Sequence, residues 1–393
     1  MKIAIIGVGT AGIQTVSYLL GKLPPSVEIV SIHNPQIKIL GIGESTTAAL
    51  PYALWKGCEF TMAEGADSLD STTKHGVKYI NWTEESFYTH ILPPYYAMHF
   101  NNFKLGEVAL EKAAKKWPNR FSKIEGIISH INQDDKSVTI TVDSADHNFD
   151  YVVDCRGYPE DYSDYYVSED LPVNHCLVHT IDQPGDWNYT YHQAHRNGWM
   201  FGIPLKTRQG WGYLYNDTIT EKEEAIEEIA EIFKTTPNKL NLREFAFKNY
   251  YAKTFIDNRI FKNGNRALFF EPLEALSGYF YEAVCVEITK VVFGESTVNE
   301  SNLTLTIAAQ RYEDFICFVY HGGSIFDTPF WRATKEKTSR HLENSSHWTH
   351  DLKSMRMLAA MDQTDERIIV GPVSIFLWNL LDEKMNYRYF NDK

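Results

Sequence analysis

The sequence of 393 residues has few cysteines and no paired-cysteine motif. An odd number of widely separated cysteines excludes a disulfide scaffold and predicts reduced, mostly buried thiols in a cytoplasmic protein. A chain of this length can bury a full hydrophobic core, so its folding requires neither a disulfide nor a structural metal. The five cysteines are Cys58, Cys155, Cys176, Cys285 and Cys317.

The sequence also lacks long apolar runs and an excess of positive charge. No stretch of about 18 apolar residues occurs, so no segment is predicted to cross a membrane. Lys and Arg number 38 against 51 Asp and Glu, a net charge of −13, which argues against a general basic surface for nucleic acid or anionic lipid. His347 and His350 are three residues apart but have no apparent third ligand, so no metal site is predicted.

The hydrophobic pattern predicts an α/β fold. Lys2–Ile6 is a short apolar run typical of a parallel strand buried on both faces, and helical spacing and a second strand follow it. Ile124–Ile128 and Val138–Val142 alternate around a polar turn and predict an antiparallel hairpin. From about residue 280 the pattern is mainly helical. We therefore expect one domain over residues 1–280 and a helical C-terminal module over residues 281–393.

A glycine motif follows the first strand. Gly7-Val8-Gly9-Thr10-Ala11-Gly12 is G-x-G-x-x-G, which between a strand and a helix predicts that the pyrophosphate of a dinucleotide binds there. The acidic residue expected near the end of the second strand is absent. His33 is a candidate donor to a ribose oxygen there, with a surface histidine as the alternative. No second glycine motif occurs, so one dinucleotide is expected and no separate nicotinamide domain.

Five segments make the sequence resemble the flavin-dependent halogenases of the tryptophan-halogenase type, in the order in which that family carries them. One of them, a W-x-W-x-I-P pattern, has Phe201 in place of the second Trp, and another matches E-P-L-E. The segments are Gly41–Thr46, Lys74–Trp82, Trp199–Pro204, Glu271–Glu274 and Asp327–Trp331.

The resemblance implies a fold and an activity. The fold would be a Rossmann-like FAD-binding domain of the flavin monooxygenase type, with an antiparallel sheet and a mainly helical C-terminal part; residues 1–280 would be the FAD-binding and catalytic domain. The enzyme would use FADH2, O2 and a halide (chloride, bromide or iodide) to make hypohalous acid, which halogenates a small electron-rich aromatic substrate. A separate NAD(P)H-dependent flavin reductase would supply FADH2.

The resemblance also implies roles for particular residues. Lys74 would be the catalytic lysine that holds the hypohalous acid, Glu274 its carboxylate partner, and Lys78 the second candidate lysine. The other residues implied are Gly7, Gly9, Thr10, Ala11, Gly12, His33, Gly43, Glu44 and Ser45 for FAD; Trp199, Phe201, Ile203, Pro204 and His90 for the tunnel and substrate; and Leu276 and Ser277 for halide.

Each of these assignments has a structural alternative. Lys74 could be a solvated lysine, Glu274 could cap the following helix, and Trp199 and Phe201 could be core residues on a strand. After E-P-L-E the family has Ser-Thr-Gly, where this chain has Ala275–Gly278. That departure keeps open an FAD-dependent monooxygenase or oxidase without halogenation, and a flavin-binding protein without catalysis.

Overall fold

The computed structural model describes residues 1–39, 41, 44–90, 96–361, 363, 365, 367–387 and 389–390. The helices are α1 (Thr10–Lys22), α2 (Ala49–Cys58), α3 (Met62–Ser68), α4 (Asn102–Lys116), α5 (Lys222–Ile232), α6 (Ser277–Val292), α7 (Val298–His321), α8 (Pro329–Asn344), α9 (Ser346–Ala360) and α10 (Ile375–Lys384). The strands of the first half are β1 (Lys2–Ile6), β2 (Glu28–His33), β3 (Thr72–Lys74), β4 (Val77–Ile80), β5 (Phe87–Thr89), β6 (Ala97–His99), β7 (Phe121–Glu125), β8 (Ile128–Gln133), β9 (Val138–Val142), β10 (Ala145–Phe149), β11 (Tyr151–Asp154), β12 (Tyr165–Val167) and β13 (His175–Ile181). The remaining strands are β14 (Thr190–His195), β15 (Gly198–Pro204), β16 (Gln209–Tyr215), β17 (Leu242–Ala246), β18 (Tyr250–Ala252), β19 (Ile256–Asp257), β20 (Ile260–Lys262), β21 (Leu268–Phe269), β22 (Ile369–Val370) and β23 (Val373–Ser374).

The chain divides into two units of three segments each. Unit 1 consists of Met1–Thr73, Tyr95–Val167 and Tyr250–Thr306, and unit 2 of Lys74–Pro94, Ser168–Asn249 and Ile307–Lys393. From Ser277 onward the described chain is mainly helical, because α6 to α10 make up most of it. The boundary near residue 280 between a catalytic domain and a helical module stays a prediction.

A six-stranded sheet forms the core of unit 1, in the order β19-β20-β11-β1-β2-β7. The strand β1 pairs in parallel with β11 and β2, and its residues Ile3, Ala4 and Ile5 have no exposed surface. Burial on both faces explains why its sequence is a continuous apolar run. The sheet of β8, β9 and β10 packs on one face of the six strands through residues such as Ile140 and Phe149. The α/β class predicted for the fold is confirmed in unit 1.

The antiparallel hairpin differs from the prediction in its first strand. The strand that pairs with β9 is β8, which begins at Ile128, whereas the preceding Phe121–Glu125 is β7 and pairs in parallel with β2. The N–H of Gly126 donates to the carbonyl of His33 at 3.0 Å, which ends β7 at the parallel sheet. The hydrophobic pattern did not separate β7 from β8, because the break at Gly126 is too short to change it.

Unit 2 is built on a seven-stranded sheet in the order β17-β13-β16-β15-β14-β4-β5. All seven residues of β15 are buried, because the strand lies in the middle of the sheet and is covered on both faces. On one face, Met200 and Tyr213 pack against Ala225 and Ile229 of α5. The amphipathic helix α5 therefore lies with its apolar side on the sheet.

The described helices include none that is both long enough and apolar enough to span a bilayer. Across the same residues, no cluster of three or more His, Cys, Asp or Glu side chains has the arrangement of a metal site. All five cysteines are buried as free thiols.

A partly buried histidine in unit 2, His341, gives the stability a predictable pH dependence. Nδ1 of His341 lies 3.1 Å from Asp170, and Nε2 lies 2.8 Å from Asp314. Burial opposes the charge on His341, but the hydrogen bond to Asp314 and the charge of Glu313 raise its pKa to about 9. Because the folded pKa exceeds the unfolded value of about 6.5, this stabilisation is complete below pH ~6.5 and is lost as the pH rises through about 9.

We therefore expect His341→Gln to lower the free energy of unfolding by about 3 kcal/mol at pH 6 and by much less at pH 9.5. Urea unfolding of both proteins at the two pH values measures this difference. An equal loss of stability at both pH values would show that the substitution acts through packing instead of charge.

Candidate active site

The glycine motif forms a turn with too little room for side chains at two of its glycines. Gly7 has φ of +100°, and a Cβ at this position would lie 2.6 Å from the carbonyl oxygen of Cys155. A Cβ at Gly12 would lie 2.0 Å from the carbonyl oxygen of Gly7. These two glycines are thus required by the turn and by the packing of α1 on the sheet.

Gly9 has a different environment. A Cβ built there meets no atom of the described residues within 4 Å, and the backbone φ of −69° is accessible to any residue. Neither the fold nor the backbone conformation therefore requires glycine at this position. The open space next to Gly9 fits the pyrophosphate of a dinucleotide, which must approach the backbone closely.

The N-terminus of α1 is available to bind phosphate. Gly9 is its N-cap, no side chain caps it, and its first turn has no acidic residue. Its first N–H groups have no partner within the helix and carry a partial positive charge. Thr10 donates a hydrogen bond to the Asn102 side chain at 3.0 Å, and Ala11 packs against Gly264, where a Cβ would come within 2.5 Å. Asn102 was missed from the sequence, since nothing local relates it to the glycine motif.

His33 is the last residue of β2, where a ribose would lie in a fold of this type. Its Nε2 is 3.8 Å from Glu125, and its buried Nδ1 has no hydrogen-bond partner in the described part of the chain. Burial lowers the pKa of His33, so the ring is neutral near pH 7, with one nitrogen as donor and the other as acceptor. A buried ring nitrogen with no partner fits a ribose hydroxyl, and with the space at Gly9 it indicates that these residues fit FAD.

Residues 44–46, which belong to one of the segments that carry the resemblance, are held in place by β6. The N–H of Thr46 donates to the carbonyl of Met98 at 2.9 Å, and Ser45 forms a bridge with His99. The buried carboxylate of Glu44 accepts a hydrogen bond from the N–H of Asn102 at 3.2 Å. Asn102 thus contacts both Thr10 and Glu44, which brings two of the predicted FAD segments together. Gly43, also predicted to bind FAD, lies outside the described residues.

The E-P-L-E segment ends in a strained turn. Glu274 has φ of +61° and Ala275 has φ of +53°, and neither is a glycine. Non-glycine residues in this region cost about 1–3 kcal/mol each, and such strain is concentrated at functional sites. Glu274 is 1% exposed. Glu274 is not the N-cap of the next helix, because Leu276 occupies that position in α6.

The first turn of α6 adjoins two buried polar side chains that were not identified from the sequence. The Gln14 amide donates to the carbonyl of Gly278 at 2.8 Å, and a Cβ at Gly278 would lie 3.1 Å from the hydroxyl of Thr47. Among the described residues, neither Oε1 of Gln14 nor the Thr47 hydroxyl has a hydrogen-bond partner. Leu276 and Ser277 begin this helix, so the predicted halide residues occupy a helix N-terminus, where backbone N–H groups favour anions. The available signal was the amide side chain of Gln14, which lies among mainly small and apolar residues in the first turns of α1.

The two candidate lysines have different environments. Lys74 is the last residue of β3 and is 2% exposed, so it is not the solvated lysine that the alternative proposed. Lysine is rarely buried to this degree without a partner or a function. Lys78 is partly exposed, and its ammonium lies 5.4 Å from the ring centres of both Tyr88 and Tyr189. Cation–π packing therefore accounts for the position of Lys78.

The aromatic strand β15 presents alternate residues to two faces of the sheet. Trp199, Phe201 and Ile203 share one face, and Pro204 belongs to the opposite face, with the residues that pack on α5. Trp199 is fully buried, and no described residue accepts a hydrogen bond from its indole N–H. His90 is partly buried and follows β5 with φ of +46°.

A cluster of rings surrounds Trp199 in unit 2. Its ring centre lies 4.9 Å from His192 and 6.3 Å from Trp82. Trp82 in turn lies 5.3 Å from Trp331, whose indole N–H donates to the carbonyl of His195 at 2.7 Å. Three of the segments that carry the resemblance thus supply rings to one cluster. His192 was missed because its segment has no motif.

The predicted residues are distributed over both units. In unit 1 lie the described FAD residues, Glu274, Leu276 and Ser277; in unit 2 lie Lys74, His90 and the residues of β15. Within unit 1 the glycine turn, the Glu44 segment and the start of α6 are linked through Asn102, Gln14 and Thr47. Within unit 2, contacts between aromatic rings link Trp82, Trp199 and Trp331.

Comparisons with known proteins match most of the chain. The family model for tryptophan halogenase matches residues 2–94 and 86–351. Tryptophan 7-halogenase RebH from Lentzea aerocolonigenes is 24% identical over 85% of this chain and 79% of its own length. Tryptophan 7-halogenase KtzQ from Kutzneria sp. (strain 744) is 22% identical over 85% of this chain and 78% of its own length.

The fold matches as well. The structure of Tar14, a tryptophan C-6 flavin-dependent halogenase (chlorinase) from taromycin biosynthesis, superposes with a TM-score of 0.80. That match has 17% sequence identity and covers 98% of this chain and 90% of Tar14. The fold predicted from the resemblance is therefore confirmed.

Proposed function

This chain belongs to the tryptophan halogenase family of flavin-dependent halogenating enzymes, and from that premise we propose that it uses FADH2, O2 and a halide to halogenate a small electron-rich aromatic substrate through Lys74. The observation that carries the proposal is the burial of Lys74 and Glu274, which are 2% and 1% exposed. Burying an ionisable group is costly, so two such groups at family motif positions indicate a function.

The glycine turn and the N-terminus of α1 would hold FAD, with Gly9 next to the pyrophosphate and His33 next to a ribose hydroxyl. Bound and reduced FAD would, together with O2, supply the oxidising power that converts a halide ion to hypohalous acid. The N–H groups at Leu276 and Ser277 bind the halide, since backbone donors are retained whatever side chains the turn carries. A separate NAD(P)H-dependent reductase supplies FADH2, because the sequence has no second dinucleotide motif. The buried free thiols fit a cytoplasmic location.

Lys74 holds the electrophile. Its ammonium donates a hydrogen bond to hypohalous acid, or its amine is halogenated, and in either state the halogen is kept beside the substrate instead of diffusing away. Glu274 stabilises the positive charge that develops on the aromatic ring and accepts its proton. Trp199, Phe201 and Ile203 provide an apolar route that excludes water from the reagent.

Halogenation is tested by product analysis. The protein is incubated with FAD, a flavin reductase, NADH, O2 and one halide at a time, with a panel of indoles and phenols, and the products are identified by mass spectrometry. Chlorinated, brominated or iodinated product in at least one reaction is expected. The proposal fails if none of the halides gives halogenated product while the reductase continues to supply FADH2.

A second function, an FAD-dependent monooxygenase or oxidase, is favoured by one observation. The family Ser-Thr-Gly is replaced by Ala275–Gly278, and the turn carries positive φ at Glu274 and Ala275. In the same assay this function would give an oxygenated product, or oxidised substrate, in equal amount with and without halide.

A further inference from the structure

Unit 1 contains a cavity of about 690 Å3, and none of the described residues of the proposed mechanism lines it. Its volume is typical of sites that bind small organic molecules. It lies against α2, the beginning of α3 and one side of α6, and its lining is mainly apolar. The lining residues are Ala48, Ala49, Pro51, Tyr52, Trp55, Phe60, Thr61, Met62, Ala63, Tyr96, Tyr279 and Glu282.

Three large aromatic side chains of the cavity are exposed. Tyr52, Trp55 and Tyr96 have 53%, 52% and 56% of their surfaces accessible. Exposed aromatic residues gathered around one cavity indicate a binding site more than chance exposure of single side chains. The rings also bind cations: the ammonium of Lys56 lies 4.4 Å from the ring centre of Trp55 and 5.7 Å from that of Tyr52.

Glu282 is the one carboxylate among the described lining residues. Glu282 is partly buried on α6, and no described residue forms an ion pair or hydrogen bond with its side chain. Burial raises the pKa of this carboxyl group, and its apolar surroundings do not compensate for the lost hydration. Glu282 therefore lacks a cationic partner among the described residues. A cation bound there would also interact favourably with the exposed aromatic rings next to it.

The cavity adjoins the Glu274 turn through Tyr279. Burial and then the charge of Glu282 raise the pKa of the Tyr279 phenol; a hydrogen bond from the N–H of Ala48 opposes this, and the charge of Glu274 adds to it. A molecule bound in the cavity thus lies beside the same helix turn that carries the proposed halide donors.

We propose that this cavity binds an aromatic molecule that carries a protonated amine, with the ammonium group paired to Glu282 and the aromatic part packed on Tyr52, Trp55 and Tyr96. The binding of this molecule goes beyond the proposed function, because none of the described residues proposed to hold the halogenation substrate lines the cavity. A neutral aromatic leaves Glu282 unpaired, and an anionic aromatic is repelled by it.

Two probes that differ in one group test the assignment. Tryptamine and tryptophol share an indole and a two-carbon chain, but tryptamine ends in an ammonium and tryptophol in a hydroxyl. We expect calorimetry on the FAD-loaded full chain at pH 7.5 to show tryptamine binding at least about tenfold more tightly than tryptophol. A tenfold difference is about 1.4 kcal/mol, within the range of a partly desolvated ion pair.

The variant Glu282→Gln is expected to lower tryptamine affinity about tenfold and leave tryptophol affinity unchanged. Glu295→Gln is the matched control, because it removes the same charge from an exposed residue just beyond α6. Trp55→Leu, a change at an exposed residue, is expected to weaken both probes. Thermal unfolding shows whether each variant is folded.

Equal affinity for the two probes, no binding of either, or the same loss in Glu295→Gln as in Glu282→Gln would overturn the assignment. Because no reduced flavin or halide takes part in the binding measurement, its failure is separate from a failure of the halogenation assay. Tight, Glu282-dependent binding of tryptamine to a protein that halogenates nothing would overturn the proposed function alone.

Discussion

Lys74→Ala is expected to abolish halogenation and to leave the oxidation of reduced flavin unchanged. Lys74 belongs to unit 2, whereas the described residues proposed to hold FAD belong to unit 1, so the substitution removes the group that holds the electrophile and none that holds the cofactor. A positioned catalytic group contributes roughly 10²–10⁴-fold to a rate, and halogenated product should fall by at least that factor. Oxygen consumption and product formation are measured in the same reaction.

Two further variants separate catalysis from structure. Lys78→Ala removes a lysine from the same segment, and because its ammonium packs on Tyr88 and Tyr189, we expect nearly unchanged halogenation. Lys74→Met retains most of the buried volume of Lys74 and should be as inactive as Lys74→Ala while folding normally. Retained halogenation in folded Lys74→Met would remove Lys74 from the proposed mechanism, and an equal loss in Lys78→Ala would transfer the role.

Local features of the sequence predicted the parts of the molecule that local physics determines. A run of apolar residues before Gly7 and helical spacing after Gly12 are sufficient to place β1 and α1, since burial on both faces and helical periodicity leave direct traces in a sequence. The same reasoning wrongly predicted one strand over Ile124–Ile128. Two strands that are separated by one glycine have no hydrophobic pattern that distinguishes them from a single strand.

Contacts between segments that are distant in the sequence could not be predicted from it. The burial of Lys74 and of the Thr47 hydroxyl depends on the packing of several elements around them. Asn102 links Thr10 to Glu44 only because α4 begins next to α1, a relation that no spacing encodes. The cavity beside Glu282 likewise collects residues from four separate stretches of chain. Motif resemblance could name Lys74 and Glu274, but it did not supply the burial that distinguishes them from ordinary charged residues.

Gly9→Val is expected to eliminate tight FAD binding without affecting the fold. The Cβ of the new side chain would have no atom of the described residues within 4 Å, and the backbone conformation at Gly9 suits valine. It fills the position proposed for the pyrophosphate, so the dissociation constant for FAD should rise at least about 100-fold, or about 2.7 kcal/mol. Fluorescence titration with FAD measures the affinity, and thermal unfolding of the FAD-free protein measures the stability.

Gly12→Val is the control variant with which the stability of Gly9→Val is compared. Its Cβ would lie 2.0 Å from the Gly7 carbonyl oxygen, so the substitution must displace the turn and should destabilise the FAD-free protein by about 3 kcal/mol or more. Gly9 and Gly12 belong to one motif, but the structure explains one by space for a ligand and the other by packing within the protein. If Gly9→Val destabilised the FAD-free protein as much as Gly12→Val does, the space at Gly9 would be part of the fold and not a phosphate site.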